Sequence, residues 1–200
     1  LIIRGRLFRK SANLLLNSEK LLIPKSTNRG GENVWVAKKC KRFFDSAYLG
    51  GPLIICEDAE IRQCAFIRGS AIVGKGSVVG NSTELKNVII FNSVQVPHYN
   101  YVGDSILGYK SHMGAGSITS NVKSDKTLVV VKDVYDTKEE IETGRKKFGA
   151  MLGDHVEVGC NSVLNPGTVI GRKFKHLSAF KSTRSHSCKP HFQGQGQRSS

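Results

Sequence analysis

Two kinds of side chain in the middle of the chain have types and spacings that suit anion binding and proton transfer. Arg68 and Lys86 each follow an inward-type aliphatic residue and stand 18 residues apart. If a repeat of that length holds them, they stack on one face about 4.8 Å apart, where two cations repel unless an anion bridges them. The spacing therefore predicts a phosphate-binding pair, and the alternative is two solvated surface charges.

A candidate proton acceptor follows the cations in sequence. His98 lies two residues after Val96, and an imidazole is the natural general base near neutral pH. The aliphatic steps from Val96 to Met113 are six, five and six residues, which complete one turn of the repeat and bring Ala115 beside His98. A small neighbour leaves room for a ligand, so we take His98 as the candidate base, although an isolated outward histidine is ordinarily only surface.

A six-residue rhythm sets the elements that must hold these side chains. A helix repeats every 3.6 residues and a strand every two, so neither explains a strict six. Three such hexads can close a triangular coil of about 18 residues with every aliphatic side chain inward, which predicts an all-β solenoid. The inward residues are Leu49, Ile55, Ile61, Ile67, Val73, Val79, Leu85, Ile90, Val96, Val102, Leu107, Met113, Leu152, Val158, Leu164 and Ile170.

The rhythm divides the chain into a central domain and two ends. Residues 31–172 form the predicted solenoid domain, with Trp35 expected to cap its open end. An inserted loop at about 119–151 interrupts the coils. Within it, Thr127–Val131 is strand-like and Lys138–Lys147 is expected to be a short charged helix or loop.

The net charge of +14 is concentrated at the two ends. Residues 31–172 carry 17 Lys/Arg against 15 Asp/Glu, residues 1–30 carry 7 against 1, and residues 173–200 carry 6 against none. These ends could be basic, disordered arms for nucleic acid or a membrane. We interpret them instead as out-of-frame segments, because a shifted reading of 173–198 permits Ile at position 176 and Leu at 182, which extends the rhythm beyond Ile170. We therefore expect no nucleic-acid or membrane partner and poor order in both ends as written.

Cysteine usage predicts a reducing compartment. The five cysteines are odd in number and include no C-x-x-C pair, so neither a disulfide framework nor a zinc framework is expected, and cytoplasm is the predicted location. No stretch approaches the roughly 18 apolar residues of a membrane span. The cysteines are Cys40, Cys56, Cys64, Cys160 and Cys188.

The stretch from Arg68 to Asn121 resembles the glucosamine-1-phosphate acetyltransferase domain of the bifunctional enzyme that makes UDP-N-acetylglucosamine, a member of the hexapeptide-repeat acyltransferases. Both five-residue steps fall where that family has them. About 140 residues, Gly31–Arg172, also resemble stand-alone hexapeptide proteins described as sugar-phosphate nucleotidyltransferases or acyltransferases. The matching pieces are Phe66-Ile67-Arg68, Val79-Gly80-Asn81, Glu84-Leu85-Lys86, His98, Tyr101-Val102-Gly103-Asp104, Met113 to Thr119, and Asn121.

The resemblance implies a left-handed parallel β-helix that acetylates an amino-sugar phosphate with acetyl-CoA as co-substrate, acting as a homotrimer. It assigns His98 as the base that takes the proton from the sugar amine. Binding of the acceptor falls to Arg68, Lys86, Tyr101, His112 and Asn121, and contact with coenzyme A to Ala115, Asn121 and Cys160. Four positions at or beside these residues depart from the family: His112 replaces an asparagine, Ser120 and Val122 replace the cysteine and tyrosine that flank Asn121, and Cys160 replaces a serine.

Other function classes fit the sequence less well. A zinc site of the carbonic anhydrase type on this fold resembles a set of three histidines with two of them five apart, and neither His98 nor His112 has such a partner, so we expect no metal. A uridyltransferase needs a glycine-rich nucleotide loop, which the chain lacks. The serious alternative is a non-catalytic β-helix that serves as an oligomerising or regulatory domain of a sugar-nucleotide enzyme.

Overall fold

The computed structural model describes residues 33–37, 39–40, 42–43, 46–132, 140–176 and 181–182. Three parallel sheets of seven strands form the walls of a left-handed parallel β-helix, as predicted. The strands are numbered β1 to β23 in chain order. The first sheet contains β1 (Val34–Val36), β4 (Leu53–Ile55), β7 (Ala71–Val73), β10 (Val88–Ile90), β13 (Ile106–Leu107), β18 (Met151–Leu152) and β21 (Val169–Ile170).

The other two walls carry the candidate site. The second sheet contains β2 (Arg42–Phe43), β5 (Glu60–Ile61), β8 (Val78–Asn81), β11 (Gln95–His98), β14 (His112–Met113), β19 (Glu157–Val158) and β22 (Lys175–His176). The third sheet contains β3 (Tyr48–Gly50), β6 (Phe66–Arg68), β9 (Glu84–Lys86), β12 (Tyr101–Gly103), β15 (Ile118–Thr119), β20 (Val163–Leu164) and β23 (Lys181–Ser182).

The aliphatic residues that repeat every six positions form the interior of the coils. All sixteen predicted inward residues are at most 4% exposed, and the small residues between them, such as Ala59 and Ala71, are also buried. Burial of one aliphatic side chain contributes about 1.5–3 kcal/mol, so this column supplies most of the stability of a fold whose strands are only two to four residues long. The prediction of the interior is confirmed.

The two five-residue steps share one corner of the triangle. Leu53 pairs with Ala71 at a spacing of 18, but Ala71 pairs with Val88 at a spacing of 17, because the corner at Asn87 is one residue shorter. The next coil shortens at Asp104 in the same corner, and the side chain of Asn87 donates a hydrogen bond to the Asp104 carboxylate. The two short corners therefore stack, and they align the polar side chains of Asn87 and Asp104 beside the third sheet.

The insertion is a hairpin excursion between coils. Antiparallel strands β16 (Val130–Lys132) and β17 (Glu140–Glu142) pair, with Val131 opposite Ile141. Residues 133–139 lie outside the described residues, and the expectation of a helix or loop is wrong for Glu140–Glu142. Val129, at the base of the hairpin, is fully buried. The returning chain pairs Lys147 with Val122, which brings it back beside the third sheet.

Trp35 does not cap the open end. Its neighbours Val34 and Val36 take the two inward positions, so alternation along the strand turns Trp35 outward, where it packs against Ile54 on the outer face of the first sheet. The segment 1–30 and most of 173–200, including Cys188, lie outside the described residues. The part of the chain that the structure describes contains no helix, and hence none long and apolar enough to cross a membrane.

Candidate functional site

A groove of about 450 Å³ crosses the outer face of the second sheet and contains the candidate base. His98 lies at the end of β11, and Gly116 donates its amide hydrogen to the His98 carbonyl over 3.1 Å, which aligns Ala115 beside His98 as the coil spacing predicts. The lining residues are Arg62, Val78, Gln95, Pro97, His98, His112, Gly114, Ala115 and Cys160. The groove thus brings together the predicted base His98, the imidazole of His112, and two of the positions assigned to coenzyme A, Ala115 and Cys160.

Close packing of β11 on β8 sets the position of His98. A side-chain carbon on Gly80 would lie only 1.5 Å from the Pro97 carbonyl oxygen, so only glycine allows the strand carrying His98 to come this near. His98 is exposed, and its ring lies 6.4 Å from that of Tyr99. Within the described residues the His98 ring has no hydrogen-bond partner, which leaves both ring nitrogens available to a ligand.

Asn100 holds the turn that follows His98, a role the sequence analysis missed. It is 2% exposed, and its Oδ1 accepts the backbone amide hydrogen of His98 over 3.1 Å. Its Nδ2 donates to the carbonyl of Gly114 over 2.7 Å and to Ser117 on the next coil. Spacing could not reveal this, because asparagine stands at an inward corner position that alanine or threonine occupies in the earlier coils, at Ala65 and Thr83.

His112 lies in the same groove as His98. It begins strand β14, which pairs with β11, whereas His98 ends β11. Its Nδ1 is 3.2 Å from Oε2 of Glu157, which lies directly opposite on β19. The same side chains line a second, polar groove of about 400 Å³, which continues around the second sheet. The resemblance grouped His112 with the cations of the third sheet, whereas the structure places it beside His98.

The predicted cation pair lies on the third sheet, but one of its members already binds an anion. Ile67 pairs with Leu85, so Arg68 and Lys86 occupy corresponding places on β6 and β9. Nε of Arg68 lies 2.6 Å from Oε1 of Glu84, and this hydrogen bond raises the pKa of the guanidinium. The expectation that the two cations need a bound anion to bridge them overlooked Glu84, which projects from the same sheet face two residues before Lys86.

Lys86, the other cation of the predicted pair, lies near a second lysine and has a lowered pKa. Burial, and then the positive charge of Lys147, lower the pKa of Lys86. The carboxylate of Asp104 has the opposite effect and raises it. Lys147 belongs to the inserted excursion, and its backbone pairing with Val122 holds it beside the third sheet. No spacing within the coils relates Lys147 to Lys86, so the sequence pattern did not indicate this second lysine. The resulting cluster of like charges favours a bound anion.

Tyr101 and Asn121 complete the cluster on the third sheet. Nδ2 of Asn121 donates to the phenol oxygen of Tyr101 over 3.2 Å and also to Asp104. A side-chain carbon on Gly103 would lie 2.5 Å from that phenol oxygen, so glycine provides the space that Tyr101 fills. Burial, and then the charge of Glu84, raise the pKa of Tyr101, which keeps its hydroxyl protonated as a hydrogen-bond donor.

One corner of the triangle separates the groove from the cluster. His98 ends β11 on the second sheet and Tyr101 begins β12 on the third, with only Tyr99 and Asn100 between them. The arrangement can receive an anion on one side of the corner and a proton on the other. Among the described residues, no group of three or more histidine, cysteine, aspartate or glutamate side chains is placed to hold a metal ion.

Comparison with known families gives a match that covers most of the coils. A family model described as the GMPPB C-terminal domain matches residues 49–180, which is 132 of the 200 residues. The chain belongs to this family. The match contains both the groove on the second sheet and the cluster on the third.

Individual relatives are named as bifunctional proteins, and one of these names joins nucleotidylyl and acetyl transfer. The chain is 38% identical over 107 residues to the bifunctional protein GlmU of Methanococcus maripaludis, which covers 54% of this chain and 25% of that protein. It is 34% identical over 145 residues to a bifunctional sugar-1-phosphate nucleotidylyltransferase/acetyltransferase of Sulfurisphaera tokodaii, covering 64% and 35%. The chain therefore spans about a quarter to a third of these curated relatives. The kinship predicted from the motifs is confirmed.

Solved structures with some likeness include a hexapeptide transferase family protein from Anaplasma phagocytophilum, with a TM-score of 0.37, 17% identity, and coverage of 75% of this chain and 69% of that one. Another is the acetyltransferase domain of PglB from Neisseria gonorrhoeae in complex with acetyl coenzyme A, with a TM-score of 0.39, 14% identity, and coverage of 70% and 54%.

Proposed function

We propose that this β-helix transfers the acetyl group of acetyl-CoA to the amino group of a sugar phosphate. The observation that carries the proposal is the corner between His98 and Tyr101, which puts an imidazole-lined groove next to a cation cluster. A sugar that carries both a phosphate and an amine has the two groups that these surfaces would recognise. The name of the relative at 34% identity includes an acetyltransferase and supports the same reaction class.

Each side chain has a physical role in this proposal. Lys86 and Lys147, with Tyr101 as hydroxyl donor, hold the phosphate, while Arg68 contributes after exchanging its bond to Glu84. His98 accepts the proton that the amine loses as its nitrogen attacks the thioester carbonyl carbon, the carbon–sulfur bond breaks, and coenzyme A leaves as the thiol. Positioning of both reactants in one groove supplies several kcal/mol of the rate gain.

Ala115, Asn121 and Cys160 stay in the proposal as contacts of the acceptor or of coenzyme A. Ala115 and Cys160 line the groove with His98, and Asn121 holds the phenol of Tyr101. A place in UDP-N-acetylglucosamine biosynthesis and a cytoplasmic location remain predictions from the resemblance and from cysteine usage.

The proposal includes a homotrimer in which a neighbouring chain closes the groove. Both grooves are open on the surface of one chain, and a single sheet face is too shallow to bury a coenzyme. Sedimentation at micromolar concentration should give the mass of three chains. A stable monomer would remove the shared site from the proposal.

A non-catalytic regulatory domain is the second candidate, and the bond between Arg68 and Glu84 favours it, because a cation paired within its own chain gives up part of its attraction for phosphate. The experiment that separates the two candidates measures thiol release from acetyl-CoA with a panel of amino-sugar 1-phosphates and the matching hydroxy-sugar phosphates. Acyl transfer predicts release with at least one amino sugar and none with its hydroxy counterpart. No release with any acceptor would favour the regulatory domain.

A further inference from the structure

His112 differs from His98 in having a carboxylate partner. Its Nδ1 lies 3.2 Å from Oε2 of Glu157, with the two side chains 37% and 52% exposed. The strands that carry them are adjacent in the second sheet although 45 residues separate the two positions, because the excursion intervenes. Chain spacing gives no hint of the pair.

The contact determines which nitrogen of His112 carries its proton. An ionised carboxylate can only accept hydrogen bonds, so the Nδ1 atom of His112 must be the donor to Glu157. In the neutral ring this leaves the lone pair on Nε2, which is then the proton acceptor. A proton added at Nε2 produces an imidazolium that keeps its Nδ1 hydrogen bond to the same carboxylate. A carboxylate that orients an imidazole in this way is the arrangement of a general base.

His112 also faces the proposed reaction groove. It lines the 450 Å³ groove together with His98 and forms the boundary with the polar 400 Å³ groove. The other titratable or charged groups that line the two grooves are Arg62, His98, Lys110, His155, Glu157 and Cys160. Of the histidines among them, only His112 has an ion-pair contact with a carboxylate among the described residues.

We propose that His112, oriented by Glu157, is a second proton acceptor of the reaction groove and that it activates an ammonium-bearing acceptor. This inference rests on the proposed acyl transfer. An amino sugar is an ammonium ion near neutral pH and has no lone pair with which to attack. Nε2 of His112 takes the first proton and releases it to solvent. The free amine then attacks the thioester carbon, and His98 takes the second nitrogen-bound proton and delivers it to the departing sulfur.

The number of protons lost in these reaction steps explains why two imidazoles share one groove. An ammonium that becomes an amide loses two protons: one leaves the protein and one ends on the coenzyme A thiol. Separate acceptors allow each proton to leave at its own step. His112 is then a catalytic residue, and Glu157 is a positioning residue that acts through it.

The first test does not need activity. A two-bond ¹H–¹⁵N correlation spectrum of labelled protein reports which ring nitrogen of His112 carries the proton. We expect the Nδ1-protonated tautomer in the native chain, its loss in Glu157→Ala, and its recovery in Glu157→Asp. Glu57→Ala removes a surface carboxylate that is paired with Lys75 elsewhere and should leave the spectrum of His112 unchanged. An Nε2-protonated ring in the native chain would overturn the proposal.

The second test is kinetic and uses the amino-sugar phosphate that supports thiol release. His112→Asn should lower kcat about 10²-fold with little change in the acceptor KM, and Glu157→Gln should lower kcat about tenfold. Imidazole in the buffer should restore part of the kcat of His112→Ala, because the site is open to solvent. His155→Asn, which removes an imidazole from the polar groove alone, is the matched control and should retain full turnover.

The outcomes separate this inference from the proposed function. If the native protein is active and His112→Asn raises only the acceptor KM, His112 is a binding residue and the second base is wrong. The same conclusion follows if Glu157→Gln and imidazole have no effect. If the native protein releases no thiol with any acceptor, the proposed function fails and the catalytic role of His112 fails with it, whatever tautomer the spectrum shows.

Discussion

Nε of Arg68 lies 2.6 Å from Oε1 of Glu84, so one of the two cations expected to hold a phosphate is engaged by its own chain. A ligand phosphate must compete with that carboxylate. The pair is solvent-exposed, and exposed pairs are weak, so the competition is modest.

Glu84→Gln should therefore strengthen binding of an amino-sugar phosphate, by about two- to fivefold, because it releases Arg68 and removes a negative charge from the cluster. Isothermal titration calorimetry at low salt measures the change. Glu57→Gln removes a carboxylate that is likewise paired with a surface cation, Lys75, and should leave affinity unaltered. Weaker binding in Glu84→Gln would mean that Glu84 positions Arg68 for the ligand instead of competing with it.

Lys86 should make phosphate binding sensitive to alkaline pH. Burial and the charge of Lys147 lower the pKa of Lys86, so it loses its proton at a lower pH than a free lysine as the pH rises. The pKa of Tyr101 is raised, so the phenol stays neutral through this range. Affinity for a sugar phosphate should fall between neutral pH and about pH 10.

The arginine variant supplies the control for this pH dependence. Lys86→Arg keeps its charge throughout the range and should bind with an affinity that falls less with pH than that of native protein. Calorimetric titrations at several pH values make the comparison. A native affinity as flat as that of Lys86→Arg would contradict the assigned role of Lys86.

Asn100 should be required for both stability and turnover. Asn100→Ala removes the acceptor of the partly buried His98 amide hydrogen and the donor to the buried carbonyls of Gly114 and Ser117. Leaving such groups unpaired costs about 1–3 kcal/mol each in the free energy of unfolding, measured by denaturant titration. Asn92→Ala removes an exposed side chain that accepts the Lys75 amide hydrogen and should cost far less. Equal losses in the two variants would rule out a special role for this corner.

The sequence was informative wherever one residue type repeats at one spacing. The inward column depends only on the repeat, so Leu49 through Ile170 could be assigned without knowledge of side-chain contacts. The coil spacing also aligned Ala115 with His98. It could not reveal Glu157 beside His112 or Lys147 beside Lys86, because the excursion breaks the coil spacing between the members of each pair. Nor could it assign Trp35, whose direction depends on which neighbours take the inward positions.

The last strands offer a test of the interpretation of the C-terminal end as out of frame. The backbone register places residue 176 opposite Val158 and residue 182 opposite Leu164, both of them buried inward positions. His176→Ile combined with Ser182→Leu should raise the melting temperature by several degrees, because each aliphatic side chain adds up to about 1.5–3 kcal/mol of burial. Lys175→Ile with Lys181→Leu, at the adjacent positions, should give no gain. A melting temperature that does not rise in the first variant would contradict the interpretation.

The central claim is that His98 accepts a proton during acetyl transfer, and the most direct measurement is the rate of thiol release from acetyl-CoA by His98→Ala and native protein with the same amino-sugar phosphate. His98 is exposed, so the variant should keep the native melting temperature. The account predicts a kcat about 10²–10⁴-fold lower than that of native protein, with acceptor affinity retained. Near-native turnover by His98→Ala would contradict it.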